Sequence, residues 1–288
     1  MKNLTCIPAM MVLMFAGTAS AGVAFDTLKL YAGDAADPAV MAVPEASPAA
    51  VSKGYVEPVS QTPTDFVVIP GGKFNMGTNS MDEGFEDAKP VHEVTIHTFQ
   101  MSRTPVTVAQ YAECVAAGAC TEPNIGEKCN WGEANRGNHP VNCVDWDQAQ
   151  DYAKFKGARL PSEAEFEYAA TSAGQNQKYP WGNAQPNRQL AVFNANNTMP
   201  VCSTPKGNTA QGLCDMSGNV WQWLQDRYHG SYKHTPDDGS AAGGLGSDRV
   251  IRGGSYFSDP DFGDLRADAR NHAAPRDRED NVGFRIAK

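Results

Sequence analysis

Arg252-Gly253-Gly254-Ser255-Tyr256-Phe257-Ser258-Asp259-Pro260-Asp261-Phe262-Gly263-Asp264-Leu265-Arg266, with the later Gly283-Phe284-Arg285, decides how this chain is read. The glycine pair at 253 follows a strand-like run and is not followed by a helical pattern, so it reads as a tight turn, not a phosphate cradle. Gly71-Gly72 reads the same way. The stretch contains no cysteine. Ser258, Asp259 and Asp261 offer only hard oxygen donors, which hold copper(I) poorly. No Walker loop, Gly-x-Ser-x-Gly elbow or His-Glu-x-x-His occurs elsewhere. The histidines at 92, 97, 139, 229, 234 and 272 form no ligand constellation.

Residues 1–21 read as a secretory signal, with Lys2 ahead of a short apolar run from Ile7 to Gly17 and Ala19-Ser20-Ala21 as a small-residue cleavage site. A span would need roughly 20 apolar residues, so no membrane insertion is expected after cleavage. No Arg-Arg pair precedes the apolar run, which favours export unfolded, and Cys6 lies ahead of that run, where it would not be lipidated. Loss of Lys2 takes the formal net charge from −9 to −10. Such an acidic surface argues against nucleic acid and anionic membranes as partners. Six cysteines remain, an even number that reads as three disulfides in an oxidising compartment such as a periplasm. Fifteen connectivities are possible; sequence proximity suggests Cys114 with Cys120, Cys129 with Cys143 and Cys202 with Cys214. None shows the close spacing of a zinc site.

Residues 22–63 are rich in Ala, Pro, Val and Ser, a composition that buries too little apolar surface to fold, and read as a leader or linker. Residues 64–288 form one domain. Phe66 to Gly72 is a β-type run stopped by a turn, and Val91 to Phe99 alternates as a second strand. Helical patterns cover Thr107 to Ala117, Asp145 to Lys156 and Pro161 to Ala170, the last opening with the Ser162-to-Glu165 spacing of a capping box. From Gln175 onward the sequence is rich in Gly, Asn, Asp and Pro and predicts short strands joined by long ordered loops.

The opening stretch and the terminal Gly-Phe-Arg resemble the C-terminal signature of the formylglycine-generating enzyme (sulfatase-modifying factor) family. So do Ile69-Pro70-Gly71-Gly72-Lys73-Phe74-Asn75-Met76-Gly77, Thr104-Pro105-Val106-Thr107, His139-Pro140-Val141 and Val144-Asp145-Trp146. Arg159 to Ala170, Pro180-Trp181-Gly182 and Gly212 to Trp223 complete the match in order along the chain. The resemblance implies a compact α+β domain related to C-type lectins, with low regular secondary structure and disulfide-stapled loops. The family's oxidases carry a copper-binding cysteine pair inside the quoted stretch. Here the two positions fall on Ser258 and, with one residue deleted, Phe262, so no copper and no formylglycine generation are expected. The resemblance also implies structural calcium at Asp215, Gly218, Val220 and Gln222, where glutamine in place of the usual glutamate removes a charge and weakens the hold on a hard cation. A second family calcium site is missing, since Ala191-Val192 stand at its first ligands.

By resemblance the groove is built from Trp221, Ser255, Tyr256, Arg266 and Arg270. An exported, disulfide-bearing member without the thiols is similar to the family's siderophore-maturation branch, which implies oxidation or tautomerisation of dihydropyoverdine to the pyoverdine fluorophore. The substrate is then a small-molecule or peptide-linked aromatic. Asp259, Asp261 or Glu279 would act as base. Arg266 or Arg270 would steady developing phenolate charge, and Trp221 or Tyr256 would stack on the ring. Two rival readings are a non-catalytic ligand-binding module, with Tyr228 to Gly246 as the loop, and a maturation factor for another exported enzyme such as a periplasmic reductase, with periplasmic proteins as partners.

Overall fold

Four short strands open the domain in two separate antiparallel pairs. β1 (Phe66–Ile69) pairs with β4 (Phe99–Ser102), and β2 (Gly72–Met76) pairs with β3 (His92–Ile96). The computed structural model describes residues 64–288, so the expected signal segment and leader lie outside the described residues. The single strand expected over Val91 to Phe99 is corrected to two strands in two sheets. Both hairpin arms change sheet together, because Gly71 N–H donates to Thr98 Oγ1 at 3.0 Å. A Cβ on Gly71 would stand 2.6 Å from the Ile96 carbonyl oxygen, so a side chain there would force the arms apart.

Three helices follow, each begun by a reciprocal capping box in which the N-cap side chain and the N3 side chain satisfy each other's orphan N–H groups. α1 (Val108–Ala116) is capped by Thr107 with Gln110, α2 (Trp146–Phe155) by Asp145 with Gln148, and α3 (Glu163–Ala170) by Ser162 with Glu165. Each cap stabilises its helix by about 1 kcal/mol. The chain then loops without regular structure to a four-stranded sheet of order β7-β6-β5-β8, with β5 at Trp221–Arg227, β6 at Arg249–Arg252, β7 at Arg270–Ala273 and β8 at Val282–Phe284. β8 runs parallel to β5, so the terminal segment crosses back to seat beside Trp221 and Trp223.

Two apolar clusters hold these elements. One joins β1–β4 to α3 through Ile69, Phe74, Val94, Met101 and Phe166; the other joins α1 and α2 to the large sheet through Tyr111, Tyr152, Trp223 and Phe284. Disulfides close Cys114–Cys120, which joins α1 to the loop after it, Cys129–Cys143 and Cys202–Cys214, the last two within loops. Each closure contributes about 2–4 kcal/mol. Among the described residues no helix is long and apolar enough to cross a membrane.

α3 is buried on every side although three of its eight residues are glutamates. Stripping water from a carboxylate costs several kcal/mol unless a partner replaces it. Each glutamate has one: Glu165 takes two bonds from Arg159 at 2.6 Å, Glu167 takes Gly77 N–H at 2.7 Å and an Arg252 guanidinium, and Glu163 takes Arg270 at 2.7 and 2.9 Å. The helix is thereby bolted to the residue after β2, to β6 and to β7, and the quoted stretch runs between the last two strands.

Candidate functional site

The turn after β6 arranges the quoted residues around Ser258. Its Oγ accepts the Ser255 N–H at 3.1 Å, and the Asp264 carboxylate is near enough for the Ser258 hydroxyl to favour its ionised form. Burial pushes the Asp264 carboxyl above its ordinary range, the Ser258 hydroxyl opposing this. Ser255 Oγ in turn accepts the Phe257 N–H at 3.2 Å. Asp259 caps a short 3-10 turn over Pro260–Phe262 by accepting the Asp261 N–H at 3.0 Å, and both of these acids are exposed. Ser258 and Phe262, the positions matched to thiols, do not meet as a pair: Ser258 is buried and Phe262 is 76% exposed.

Other expected site residues lie elsewhere. Trp221, 4% exposed, is packed in the second apolar cluster and cannot stack on a ligand. Tyr256 is 1% exposed, and burial, with the Asp280 carboxylate acting on it, pushes the phenol up. The stacking role expected of both is therefore corrected. Phe257 takes their place as the accessible aromatic: it is 69% exposed with the Lys128 amine 5.9 Å from its ring centre. Glu279 is exposed near the Cys129–Cys143 bridge, its carbonyl accepting the Cys143 N–H at 3.0 Å.

Arg270 is also corrected, from ligand contact to interior ion pair. Its side chain is 1% exposed, and it donates to Glu163 twice, to the Asp87 carbonyl at 2.6 Å and to the His229 carbonyl at 2.8 Å. Burial would raise the Glu163 carboxyl, but Arg270 and Arg252 outweigh it and hold it below its ordinary range. Arg266 faces a different opening. It donates to both oxygens of Asp268 at 2.8 and 2.6 Å and to Asp82 at 2.9 Å, and lies over the Phe85 ring at 4.1 Å. That opening is a polar cleft of about 580 Å³ lined in part by Asn75, Thr78, Gln175, Lys178 and Asp268.

The donors matched to calcium do not fit a cation as they stand. Gln222 Oε1 accepts Arg285 Nε at 2.5 Å, and its amide nitrogen donates to the Asp215 carbonyl at 2.9 Å. The Gly218 carbonyl accepts the Val220 N–H at 3.0 Å, and the Asp215 carboxylate accepts the Cys202 N–H at 2.8 Å. A buried guanidinium already supplies the positive charge: burial lowers Arg285 to about 9 and raises Asp215 to about 6. Among the described residues no group of three His, Cys, Asp or Glu side chains could hold a metal.

Sequence reasoning passed over Asp264 as an acid–base group and Phe257 as an aromatic surface. Phe257 and Phe262 on either side of Asp-Pro-Asp were a signal, since a proline-started turn exposes what flanks it.

Comparison with known proteins identifies the family. Residues 52–288 match the family described as the sulfatase-modifying factor enzyme 1-like domain. The formylglycine-generating enzyme of Streptomyces coelicolor is 30% identical, over 86% of this chain and 96% of that protein. Hercynine oxygenase of Mycolicibacterium smegmatis is also 30% identical, over 77% of this chain, which spans only 60% of that protein's length. The structure of PvdO from Pseudomonas aeruginosa superposes with a TM-score of 0.66 at 33% identity, covering 77% of this chain and 93% of that one. The chain belongs to the formylglycine-generating enzyme (sulfatase-modifying factor) family.

Proposed function

We propose that this chain is an exported enzyme of siderophore maturation that converts dihydropyoverdine to the pyoverdine fluorophore without copper thiolates, by base-assisted tautomerisation of its oxidised, quinone-level form. The observation that carries the reading is Ser258, a buried hydroxyl with the Asp264 carboxylate near it, at the position that matches a thiol of the family's oxidases. The likeness to PvdO and the three disulfides support the same reading.

The assigned step is redox-neutral. A carboxylate takes the proton from a ring carbon, the C–H electron pair moves into the ring, and a proton is delivered to the quinone oxygen, so atoms and electrons balance within the substrate. Burial raises the Asp264 carboxyl, so it holds a proton more readily than an exposed aspartate, the direction that general acid–base catalysis needs. Phe257 offers a face for the aromatic ring, and Lys128 stands beside it to steady developing phenolate charge. The earlier two-electron oxidation of the catechol belongs to an external acceptor.

Asp264→Asn and Ser258→Ala should each slow fluorophore formation by roughly 10²–10⁴-fold for the carboxylate and less for the hydroxyl, the range for a positioned acid–base group, with circular dichroism unchanged. Wild-type rates in a folded Asp264→Asn protein would defeat the assignment. The polar cleft at Arg266 favours a second reading, a ligand-binding module, which binding without chemical change would support.

A further inference from the structure

The cleft beside Arg266 exposes main-chain hydrogen-bonding groups that the described residues leave unused. Among the described residues β2 has a single partner, β3, in a two-stranded sheet. Which β2 residues turn toward that partner follows from Thr95, whose N–H donates to the Asp237 carbonyl at 2.8 Å and so points away from β2. In an antiparallel pair, hydrogen-bonded and non-bonded positions alternate. Lys73, opposite Thr95, is then a non-bonded position, and Asn75, opposite Glu93, is the next. The N–H and C=O of Asn75 face the open edge of the sheet, and Asn75 lines the cleft.

Most of the cleft's lining groups are uncharged hydrogen-bonding groups. Side-chain amides of Asn75, Asn79, Gln175 and Asn176 line it, and Gln177 and Asn183 add two more. Among its charged lining groups Arg266 is paired with Asp268 and Asp82 and Glu167 with Arg252, and the exposed Lys178 amine stands beside them without an ion pair among the described residues. An exposed strand edge is a template for another strand, and carboxamides flanking it can each donate and accept to a peptide group. Phe74 and Met76 turn inward to the core, so the exposed face is polar and gives an apolar peptide nothing to bury against.

We propose that the free edge of β2 at Asn75, with the carboxamide-lined cleft beside it, binds an extended peptide segment with uncharged polar side chains by strand addition. The peptide's alternate N–H and C=O groups pair with Asn75, and its side chains meet the amides of Asn79, Gln175 and Asn176. This site is independent of the Ser258–Asp264 turn and stands whether or not that turn is catalytic.

The test is a nitrogen-15 NMR titration of the chain with a capped (Ser-Thr)₃ hexapeptide, the same peptide N-methylated at alternate residues, and cellotriose. Saturable shifts confined to residues 73–79 and 174–178 are expected with the unmodified peptide, weakened at least tenfold by N-methylation. Asn75→Pro, which removes the edge N–H but no β2–β3 bond, should weaken binding similarly, since proline is tolerated where the N–H faces outward. No shifts in the cleft, equal binding of the N-methylated peptide, or tighter binding of cellotriose would each overturn the proposal.

Discussion

Replacing Arg270 with methionine separates an interior ion pair from a ligand contact. Arg270 fills four acceptor positions: both oxygens of Glu163 and the carbonyls of Asp87 and His229. Its removal leaves Glu163 with one Arg252 contact at 3.1 Å and the Tyr232 hydroxyl at 3.2 Å, and orphans two carbonyls. Breaking one side of a buried ion pair costs about 3–5 kcal/mol, and at this domain size each kcal/mol moves Tm by about 2–4 °C. A central cost of about 4 kcal/mol therefore lowers Tm by about 8–16 °C. Calorimetry on the Arg270→Met protein reads this directly. Glu163→Gln should also destabilise, and the double variant should lose much less than the sum, a coupling of 0.5–3 kcal/mol being usual for residues in contact. A Tm within about 2 °C of wild type, together with lost activity, would refute the structural role and return Arg270 to the substrate.

Three further outcomes follow from the geometry. His139 is lowered to about 4 by burial and then by Arg136, so folding favours its neutral form; stability that it supports above pH 6.5 is lost as pH falls through 4. His139→Gln should flatten that part of the acid-unfolding profile measured by denaturant titration at pH 4 and pH 7. Millimolar calcium should leave Tm unchanged within about 1 °C, since Arg285 and Gln222 already satisfy the matched donors; a rise of several degrees on adding calcium, reversed by chelator, would contradict the assigned geometry. Replacing Cys129 and Cys143 together by serine should cost about 2–4 kcal/mol, read as a lower denaturation midpoint, with little loss if the loop is held by the Asn142 bonds alone.

Helix starts were legible because capping is local: Ser162 with Glu165 lies within four residues, and α3 begins where that pair places it. The turn at Gly71 was legible too, but its effect on Val91–Phe99 was not, since the split between β3 and β4 depends on a contact between Gly71 and Thr98 across 27 residues. Burial defeated the site reading most. Trp221 and Arg270 are residue types that ligands favour, yet one is in the apolar cluster and the other is cancelled by a glutamate 107 residues away. A helix reading Glu-Ala-Glu-Phe-Glu-Tyr carries no sign that all three acids face inward, because their partners come from the residue after β2, from β6 and β7 and from the segment before the helix. Family motifs fixed the fold more surely than periodicity did, and they placed Ser258 in its turn without revealing that the Asp264 carboxylate stands near it.

The most direct measurement is the rate of fluorophore formation when the metal-stripped, oxidised chain is added to dihydropyoverdine in air, followed by visible absorbance and fluorescence with Asp264→Asn alongside. The account predicts acceleration over the spontaneous reaction that survives metal removal and is lost in the Asp264→Asn protein. A folded wild-type chain that adds nothing to the spontaneous rate would contradict it.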